Sequence, residues 1–188
     1  MQALLERIDQ LGSPRVALAG DFMLDRYVYG DVERISQEAP VGILKVDRDE
    51  SRVGGAGNSA AAILALGGTV CCLGVLGRDA QGEQLGRLLM VAGAETSALL
   101  RLADRPTAVK TRYVGLAQHR HAQQVLRVDS EQTDPLPETV QVTLRAAVRG
   151  QLAGADVLAL EDSDKGVLDD RLTPNLIADA RQAGKNVL

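Results

Sequence analysis

The sequence predicts an α/β fold in which helices cover both faces of a mainly parallel sheet, with a small second sheet beside it. Three observations support this prediction. Short apolar runs rich in Val, Leu and Cys alternate with longer segments whose apolar residues recur at helical spacing. Glycines follow these helical segments, at the positions where left-handed caps end helices. Two further segments alternate β-forming and polar residues, which favours a separate sheet.

The predicted elements follow one another in a strand and helix rhythm. In chain order they are a helix to about residue 11, strand 16–20, helix 56–66, strand 69–75, helix 79–92, a strand near 97–102, helix 137–152, strand 156–160, helix 173–183 and a strand from 185. Gly67, Gly93 and Gly184 close three of the helices. Since helices join successive strands, we expect the strands to pair in parallel and both faces of the sheet to be covered.

The two extended segments span about 26–52 and 106–130. The first contains a β-rich run after a proline, and the second alternates β-formers with polar residues, as in 109–114. Each segment follows a strand of the main sheet and is tethered at both ends. We therefore expect residues 1–188 to form one domain from which these segments leave to make a β-sheet lid over a ligand site.

The composition favours a protein that binds a small ligand. Hydrophobic residues make up 45% and charged residues 24% of the chain, which is ordinary soluble usage, and no apolar run is long enough to span a membrane, so we expect a cytoplasmic protein without a membrane partner. A net charge of -4 and an aromatic content of 2% argue against a nucleic acid partner. Cys71 and Cys72 are adjacent in one strand and point to opposite faces, so no disulfide framework is expected.

A polar pocket is predicted where the first strand ends. Asp21 directly follows the first apolar run, at the end of a strand where open α/β sheets bind ligands, and Asp25 lies four residues on. Gly54 and Gly55 have no Cβ, so the backbone can turn sharply and approach a ligand. Asn58 then lies in the first turn of an apolar helix, whose free N–H groups bind hydroxyl or phosphate oxygens. Two carboxylates that accept hydroxyl hydrogen bonds predict a sugar site, the alternative for Asp21 being a turn cap.

Six ordered stretches of the chain resemble the ribokinase-like pfkB carbohydrate kinases. They are Gly20 to Tyr27, Arg34 to Val41, Gly54 to Asn58, Thr107 to Arg112, Leu126 to Asp129 and Asp162 to Gly166. One glycine pair is a weak signal, but six blocks in the family's order are strong evidence. Within the family, the chain is most similar to the kinases that phosphorylate D-glycero-β-D-manno-heptose 7-phosphate at O1, in the synthesis of the lipopolysaccharide precursor ADP-heptose. Gln37 and the pair Ser163-Asp164 depart from the pattern of those kinases.

The resemblance implies a ribokinase-like three-layer sandwich and a sugar kinase that uses ATP with Mg²⁺. It places the sugar among Asp21, Asp25, Gly54, Gly55 and Asn58, under the lid, and it implies a homodimer formed through the lid of the full-length protein. The family's catalytic aspartate lies in a Gly-Ala-Gly-Asp motif at a helix N-terminus. Here Gly-Ala-Gly is followed by Asn58, which cannot take a proton from a hydroxyl. We therefore expect this chain to be the N-terminal, sugar-binding part, with the base and most of the adenine pocket beyond residue 188.

Cations in or beside the predicted lid are candidates for binding the sugar's 7-phosphate. They are Arg26, Arg34, Lys110, Arg112 and Arg127, and we expect two of them to contact it. Asp162 and Lys165 follow strand 156–160 at the mouth of the pocket, and the resemblance implies that Lys165 approaches the phosphates of ATP or of the sugar. The alternative for each lid cation is a solvated surface charge, and for Asp162 and Lys165 it is a surface turn that ends at Gly166.

Three other functional interpretations stay open. A non-catalytic sugar-phosphate-binding module derived from a kinase would account for the missing motif, and a pfkB kinase for another sugar would use the same pocket. A dinucleotide-binding fold is disfavoured because the glycines lack the full fingerprint after a core strand. His119 and His121 share a strand face, but no third ligand has suitable spacing, so no metal site is predicted.

Overall fold

The computed structural model describes residues 12–115 and 121–188, so the helix predicted to about residue 11 lies outside the described residues. In chain order the elements are β1 (Arg15–Gly20), β2 (Phe22–Ile35), β3 (Gly42–Gly55), α1 (Ala56–Ala65), β4 (Thr69–Gly77), α2 (Ala80–Val91), β5 (Leu99–Leu102), β6 (Val109–Gly115), β7 (Gln123–Ser130), α3 (Glu138–Leu152), β8 (Val157–Glu161), α4 (Leu172–Gln182) and β9 (Asn186–Val187).

The main sheet has five strands in the order β5-β4-β1-β8-β9, and every pair within it is parallel. The strand β1 lies at its centre, with Val16 opposite Val70 on one side and Val157 on the other. The neighbours of β1 are β4 and β8, and β5 and β9 form the two edges. The carboxyl ends of β1 and β8 therefore lie next to each other, at the edge where such sheets bind ligands.

Helices cover both faces of the main sheet. On one face α3 and α4 bury leucines such as Leu144 and Leu176 against Ala17 and Ala19 of β1. On the other face α1 and α2 pack against alternate residues of β1, including Leu18. This alternation is why β1 is apolar from Val16 to Ala19, and it confirms the predicted three-layer arrangement. Among the described residues no helix is long and apolar enough to cross a membrane.

The second sheet has four strands in the order β3-β2-β6-β7. β2 pairs antiparallel with β3 and parallel with β6, and β6 pairs antiparallel with β7. The separate sheet predicted from the two extended segments is confirmed, whereas its role as a lid stays a prediction. β2 begins at Phe22, earlier than the predicted segment, because its pairing with β3 runs back to Phe22 opposite Gly55. Asp25 therefore lies within a strand.

Candidate functional site

The two sheets meet where β3 ends and α1 begins. Gly55, the last residue of β3, has a φ of 55°, and a Cβ at this position would lie 2.2 Å from the backbone oxygen of Asp21. That oxygen accepts a hydrogen bond of 2.9 Å from the backbone N–H of Ala56. Only glycine fits both the left-handed backbone and the close approach. Among the described residues no side chain caps α1, and Asn58 lies exposed in its first turn.

Asp25 and Arg112 form an ion pair beside this junction. The guanidinium Nη1 of Arg112 donates to Asp25 Oδ1 at 2.8 Å, and the two side chains are 20% and 13% exposed. Burial would lower the pKa of Arg112, but the hydrogen bond and charge of Asp25 outweigh it and raise that pKa. Gly54 allows this arrangement, because a Cβ there would lie 2.8 Å from Asp25 Cγ. A carboxylate is thus held directly over the glycine backbone that precedes α1.

The strand register decides which of the predicted cations share a face with Asp25. Lys110 lies opposite Asp25, while Arg112 lies opposite both Tyr27 and Arg127. Opposite residues project to the same side of a sheet, so Asp25, Tyr27, Lys110, Arg112 and Arg127 form one surface, which we call the Asp25 face. Arg127 is half exposed and pairs with Asp129 of the same face at 3.0 Å.

Two predicted cations do not belong to this group. Arg26 follows Asp25 in β2, so its side chain lies on the opposite face, where it forms an ion pair with Asp49. Arg34 lies exposed near the far end of β2, opposite Ile43 and beyond two irregularities of the register. The structure therefore separates three candidate phosphate ligands on the Asp25 face from two outside it.

A tyrosine ring contacts two arginines at this surface, Arg112 of the Asp25 face and Arg52 of β3, which lies opposite Asp25. The guanidinium carbons of Arg52 and Arg112 each lie 5.1 Å from the centroid of the Tyr27 ring. Such cation–π contacts hold planar guanidinium groups with a defined orientation. Neither Tyr27 nor Arg52 was among the site residues predicted from the sequence. The alternation of residue types in the first extended segment indicated a strand, but the face on which each side chain lies depends on the register between β2 and β3.

Asp21 is buried between the end of β1 and the start of β2. Its side chain is 1% exposed, and its carboxylate accepts hydrogen bonds from the backbone N–H groups of Ser163, Lys165 and Val167, at 2.8, 3.1 and 3.3 Å. Burial raises the pKa of Asp21, although these three hydrogen bonds act in the opposite direction. Asp21 does follow β1, as expected, whereas its direct contact with a sugar stays a prediction.

Glu161 is a further carboxylate at the junction that the sequence analysis missed. It is the last residue of β8 and lies opposite Gly20 of β1. Its Oε1 accepts a hydrogen bond of 2.8 Å from the Ser163 hydroxyl, while Oε2 is buried and has no hydrogen bond partner within residues 12–115 and 121–188. Burial raises the pKa of Glu161, and the charge of Lys110 opposes this effect. Its position at the end of a strand predicted as 156–160 was the available signal.

Lys165 and Asp162 lie in the loop after β8. The ammonium of Lys165 is 3.0 Å from Glu131 Oε1, just after β7, so this ion pair joins the loop to the base of the second sheet. Asp162 is exposed, and its Oδ1 accepts the backbone N–H of Asp164 at 2.9 Å. Both residues are therefore at the carboxyl end of the main sheet, as expected. Their contact with phosphates stays a prediction.

The described residues contain no group of three or more His, Cys, Asp or Glu side chains arranged to hold a metal ion. His121 is exposed at the surface, and His119 lies outside the described residues. Cys71 and Cys72 are buried free thiols, and they lie on opposite faces of β4.

Comparison with known proteins places this geometry in a family. The sequence profile described as pfkB family carbohydrate kinase matches residues 13–186. A relative from Mesorhizobium japonicum named bifunctional protein HldE is 42% identical over 187 residues, which cover 100% of this chain and 37% of the relative. A relative from Bordetella bronchiseptica named D-beta-D-heptose 7-phosphate kinase is 43% identical over 161 residues, which cover 86% of this chain and 49% of the relative. The chain thus spans between a third and a half of these relatives.

Solved structures share the fold at low sequence identity. Phosphofructokinase-2 from Escherichia coli in complex with fructose-6-phosphate superposes with a TM-score of 0.69 at 21% identity, covering 94% of this chain and 54% of that one. Ribokinase from Arabidopsis thaliana complexed with ribose and ATP gives a TM-score of 0.63 at 15% identity, covering 93% and 52%. The ribokinase-like fold is thereby established.

Proposed function

The chain belongs to the pfkB family of carbohydrate kinases, and we propose that it forms the sugar-binding part of an ATP-dependent kinase that phosphorylates D-glycero-β-D-manno-heptose 7-phosphate at O1. The family membership predicted from the six sequence blocks is confirmed. The name of the Bordetella relative supports the heptose, and we propose with it a role in making ADP-heptose for lipopolysaccharide.

The observation that carries this proposal is the Asp25–Arg112 pair held over Gly54 at the start of α1. It combines a partly exposed carboxylate, a guanidinium and uncapped helix N–H groups within one small space. A carboxylate accepts hydrogen bonds from neighbouring hydroxyls, while N–H groups donate to sugar oxygens. We assign hydroxyl recognition to Asp25, Gly54, Gly55 and Asn58. For Asp21 to bind the sugar, its carboxylate would first have to break hydrogen bonds to the backbone N–H groups of the loop after β8.

The Asp25 face supplies the charge that a sugar phosphate requires. Lys110, Arg112 and Arg127 lie on it, and we propose that two of them bind the 7-phosphate. Arg34 is a weaker candidate because it lies at the far end of β2. A lid of this kind would close over the substrate and exclude water during transfer.

The phosphoryl donor in this proposal is ATP with Mg²⁺, which enters at the carboxyl end of β8. Asp162 and Lys165 lie there, and an ammonium group at this position would offset the phosphate charge of ATP or of the sugar. The described residues contain no metal cluster, so the ion is expected to arrive with the nucleotide. We assign the catalytic base to the part of the longer relatives that this chain does not span, since Asn58 is an amide and cannot accept the proton.

A homodimer through the second sheet is proposed for the full-length protein. The support is exposed apolar surface, since the second sheet carries half-exposed side chains that water would otherwise contact. These include Val32, Val46, Val125, Leu126 and Val128.

Two alternatives remain, a non-catalytic sugar-phosphate-binding module and a pfkB kinase for another sugar. The lack of a Gly-Ala-Gly-Asp motif in the sequence favours the first. ATP turnover with the heptose phosphate by the purified chain would exclude that module and also contradict the assignment of the base elsewhere. Stronger binding of fructose 6-phosphate or ribose than of the heptose phosphate would favour the second.

Isothermal titration calorimetry with D-glycero-β-D-manno-heptose 7-phosphate tests the proposal directly. Asp25→Ala should abolish measurable binding while the chain stays folded. Asp49→Ala is the matched control, because it also removes one carboxylate from an ion pair of the second sheet but on the opposite face. Equal binding by the wild-type chain and Asp25→Ala, or equal losses in both variants, would contradict the proposed site.

A further inference from the structure

The loop between β8 and α4 is shaped to receive an anion. Asp164 and Gly166 have φ values of 57° and 74°, and the N–H groups of Ser163, Lys165 and Val167 converge on one carboxylate. Alternating left-handed residues create such concave N–H sites, which commonly bind phosphate or other anions. Here the anion is the enclosed side chain of Asp21. The loop is therefore held by the chain's own carboxylate, contributed by a residue more than 140 positions earlier.

A buried cation holds the same loop from its carbonyl side. Arg105 is 8% exposed, and its guanidinium donates to the backbone oxygens of Asp134, Gln132 and Lys165, at 2.8, 2.9 and 2.6 Å. Lys165 thus has its N–H bound by Asp21 and its carbonyl bound by Arg105. Gly166 is required next to it, because a Cβ there would lie 2.3 Å from the Asp134 oxygen.

The two charges act on one peptide segment from opposite sides. Burial of either charge alone would be costly, and their mutual attraction together with six hydrogen bonds to the backbone offsets that cost. A loop kept only for connection would not need two buried charges of opposite sign. What this arrangement fixes in space is the backbone from which the side chains of Asp162 and Lys165 project.

We infer that Asp21 and Arg105 are positioning residues that clamp the 162–167 loop and so place Lys165 for the phosphates of its ligands. The role assigned to Lys165 rests on the proposed function, whereas the clamp itself does not. Asp21 acts through the loop in this inference and does not contact the substrate. The clamp also fills the N–H site with a carboxylate, so a substrate phosphate does not bind there.

The clamp is tested in the ligand-free chain by amide hydrogen exchange, followed by NMR. Asp21→Asn keeps the size of the side chain but replaces an acceptor oxygen with an amide donor. It should speed exchange at Ser163, Lys165 and Val167 by about tenfold or more, as expected for hydrogen bonds to a charged acceptor. Asp156→Asn is the control, because Asp156 also accepts a backbone N–H, that of Arg15 at 2.8 Å, but at the other end of the sheet. Unchanged exchange in Asp21→Asn would overturn the clamp.

Arg105→Lys provides a second variant should Asp21→Asn fail to fold. It keeps the charge but loses the forked geometry that binds three carbonyls, so the same amides should exchange faster. Protection equal to that of the wild-type chain would again overturn the clamp.

A double-mutant cycle with Lys165→Met distinguishes positioning from direct contact. If Asp21 acts through Lys165, Asp21→Asn and Lys165→Met should each weaken heptose 7-phosphate binding by about tenfold, and the double variant should weaken it no further. Additive losses would show that Asp21 contacts the ligand independently and would overturn the positioning role. If the wild-type chain binds no heptose 7-phosphate, the proposed substrate fails, and amide exchange alone then supports or overturns the clamp.

Discussion

Replacement of Gly55 by alanine should lower the free energy of unfolding by more than the cost of placing alanine in a left-handed backbone conformation. Gly55 has a φ of 55°, in the left-handed region, and its missing Cβ would lie 2.2 Å from the Asp21 oxygen. That atom belongs to the backbone, so no side-chain rotation relieves the contact. Either β3 must move away from β1 or the hydrogen bond from Ala56 to Asp21 must break.

The expected loss follows from these two contributions. A left-handed conformation costs a non-glycine residue about 1–2 kcal/mol. Loss of the Ala56 hydrogen bond adds about 0.5–1.5 kcal/mol, and imperfect packing at the junction adds more. We therefore expect the free energy of unfolding to fall by about 2–4 kcal/mol, a large share of the roughly 5–15 kcal/mol of a typical domain.

Gly67→Ala is the matched control for the backbone contribution. Gly67 has a φ of 85°, but no atom of the part of the chain that the structure describes lies within 4 Å of its missing Cβ. Urea unfolding followed by circular dichroism should show a loss of about 1–2 kcal/mol in Gly67→Ala and a clearly larger loss in Gly55→Ala. Equal losses in the two variants would refute the reasoning that the Asp21 backbone makes glycine necessary at the junction.

Four further predictions concern the site and the core. Gly54→Ala should displace the Asp25 carboxylate that lies against it and weaken heptose 7-phosphate binding in calorimetry, with a smaller loss of stability than Gly55→Ala. Arg112→Lys keeps the charge but loses the planar stacking on its ring, so affinity should fall about tenfold, and unchanged affinity would contradict its role. Asp79→Ala removes the cap of α2 and should cost about 1–2 kcal/mol at pH 7. Burial would raise the pKa of Asp79, but hydrogen bonds from Thr107 and Gly82 lower it, so this stabilisation is lost as pH falls below about 4 and the two proteins should converge in acid urea titrations. Burial raises the pKa of Cys71 to about 11 and that of Cys72 to about 12, so neither should react with a thiol reagent at pH 8 until urea unfolds the chain.

The main sheet and its helices were predictable because their signals are local. The central strands β1, β4 and β8 of the main sheet contain apolar runs, and three helices end where a glycine adopts a left-handed conformation, as Gly67, Gly93 and Gly184 do. The second sheet was also predictable, since alternation of residue type is a property of the strand itself. Its starting point at Phe22 was not, because it depends on pairing with Gly55, more than thirty positions away.

The sequence indicated several residues that come together at the candidate site, but it did not indicate which hydrogen bonds their side chains make. Asp25, Gly54 and Gly55 come together as the sequence motifs suggested. Asp21 looked equally suited to a sugar, yet it accepts hydrogen bonds from the loop at 163–167. Arg105 resembled any surface cation, since its three backbone acceptors are distant in sequence. No local pattern carries such information.

Local features of the sequence are sufficient to predict the order of strands and helices, the glycines at helix ends and the family, because each follows from periodicity, backbone preference or an ordered motif. Which charges share a face depends instead on how distant strands pair. Lys110, Arg112 and Arg127 lie with Asp25, whereas Arg26 lies on the opposite side. One residue of strand register reverses the side to which a side chain points, and register is set by contacts between segments that are far apart in the chain.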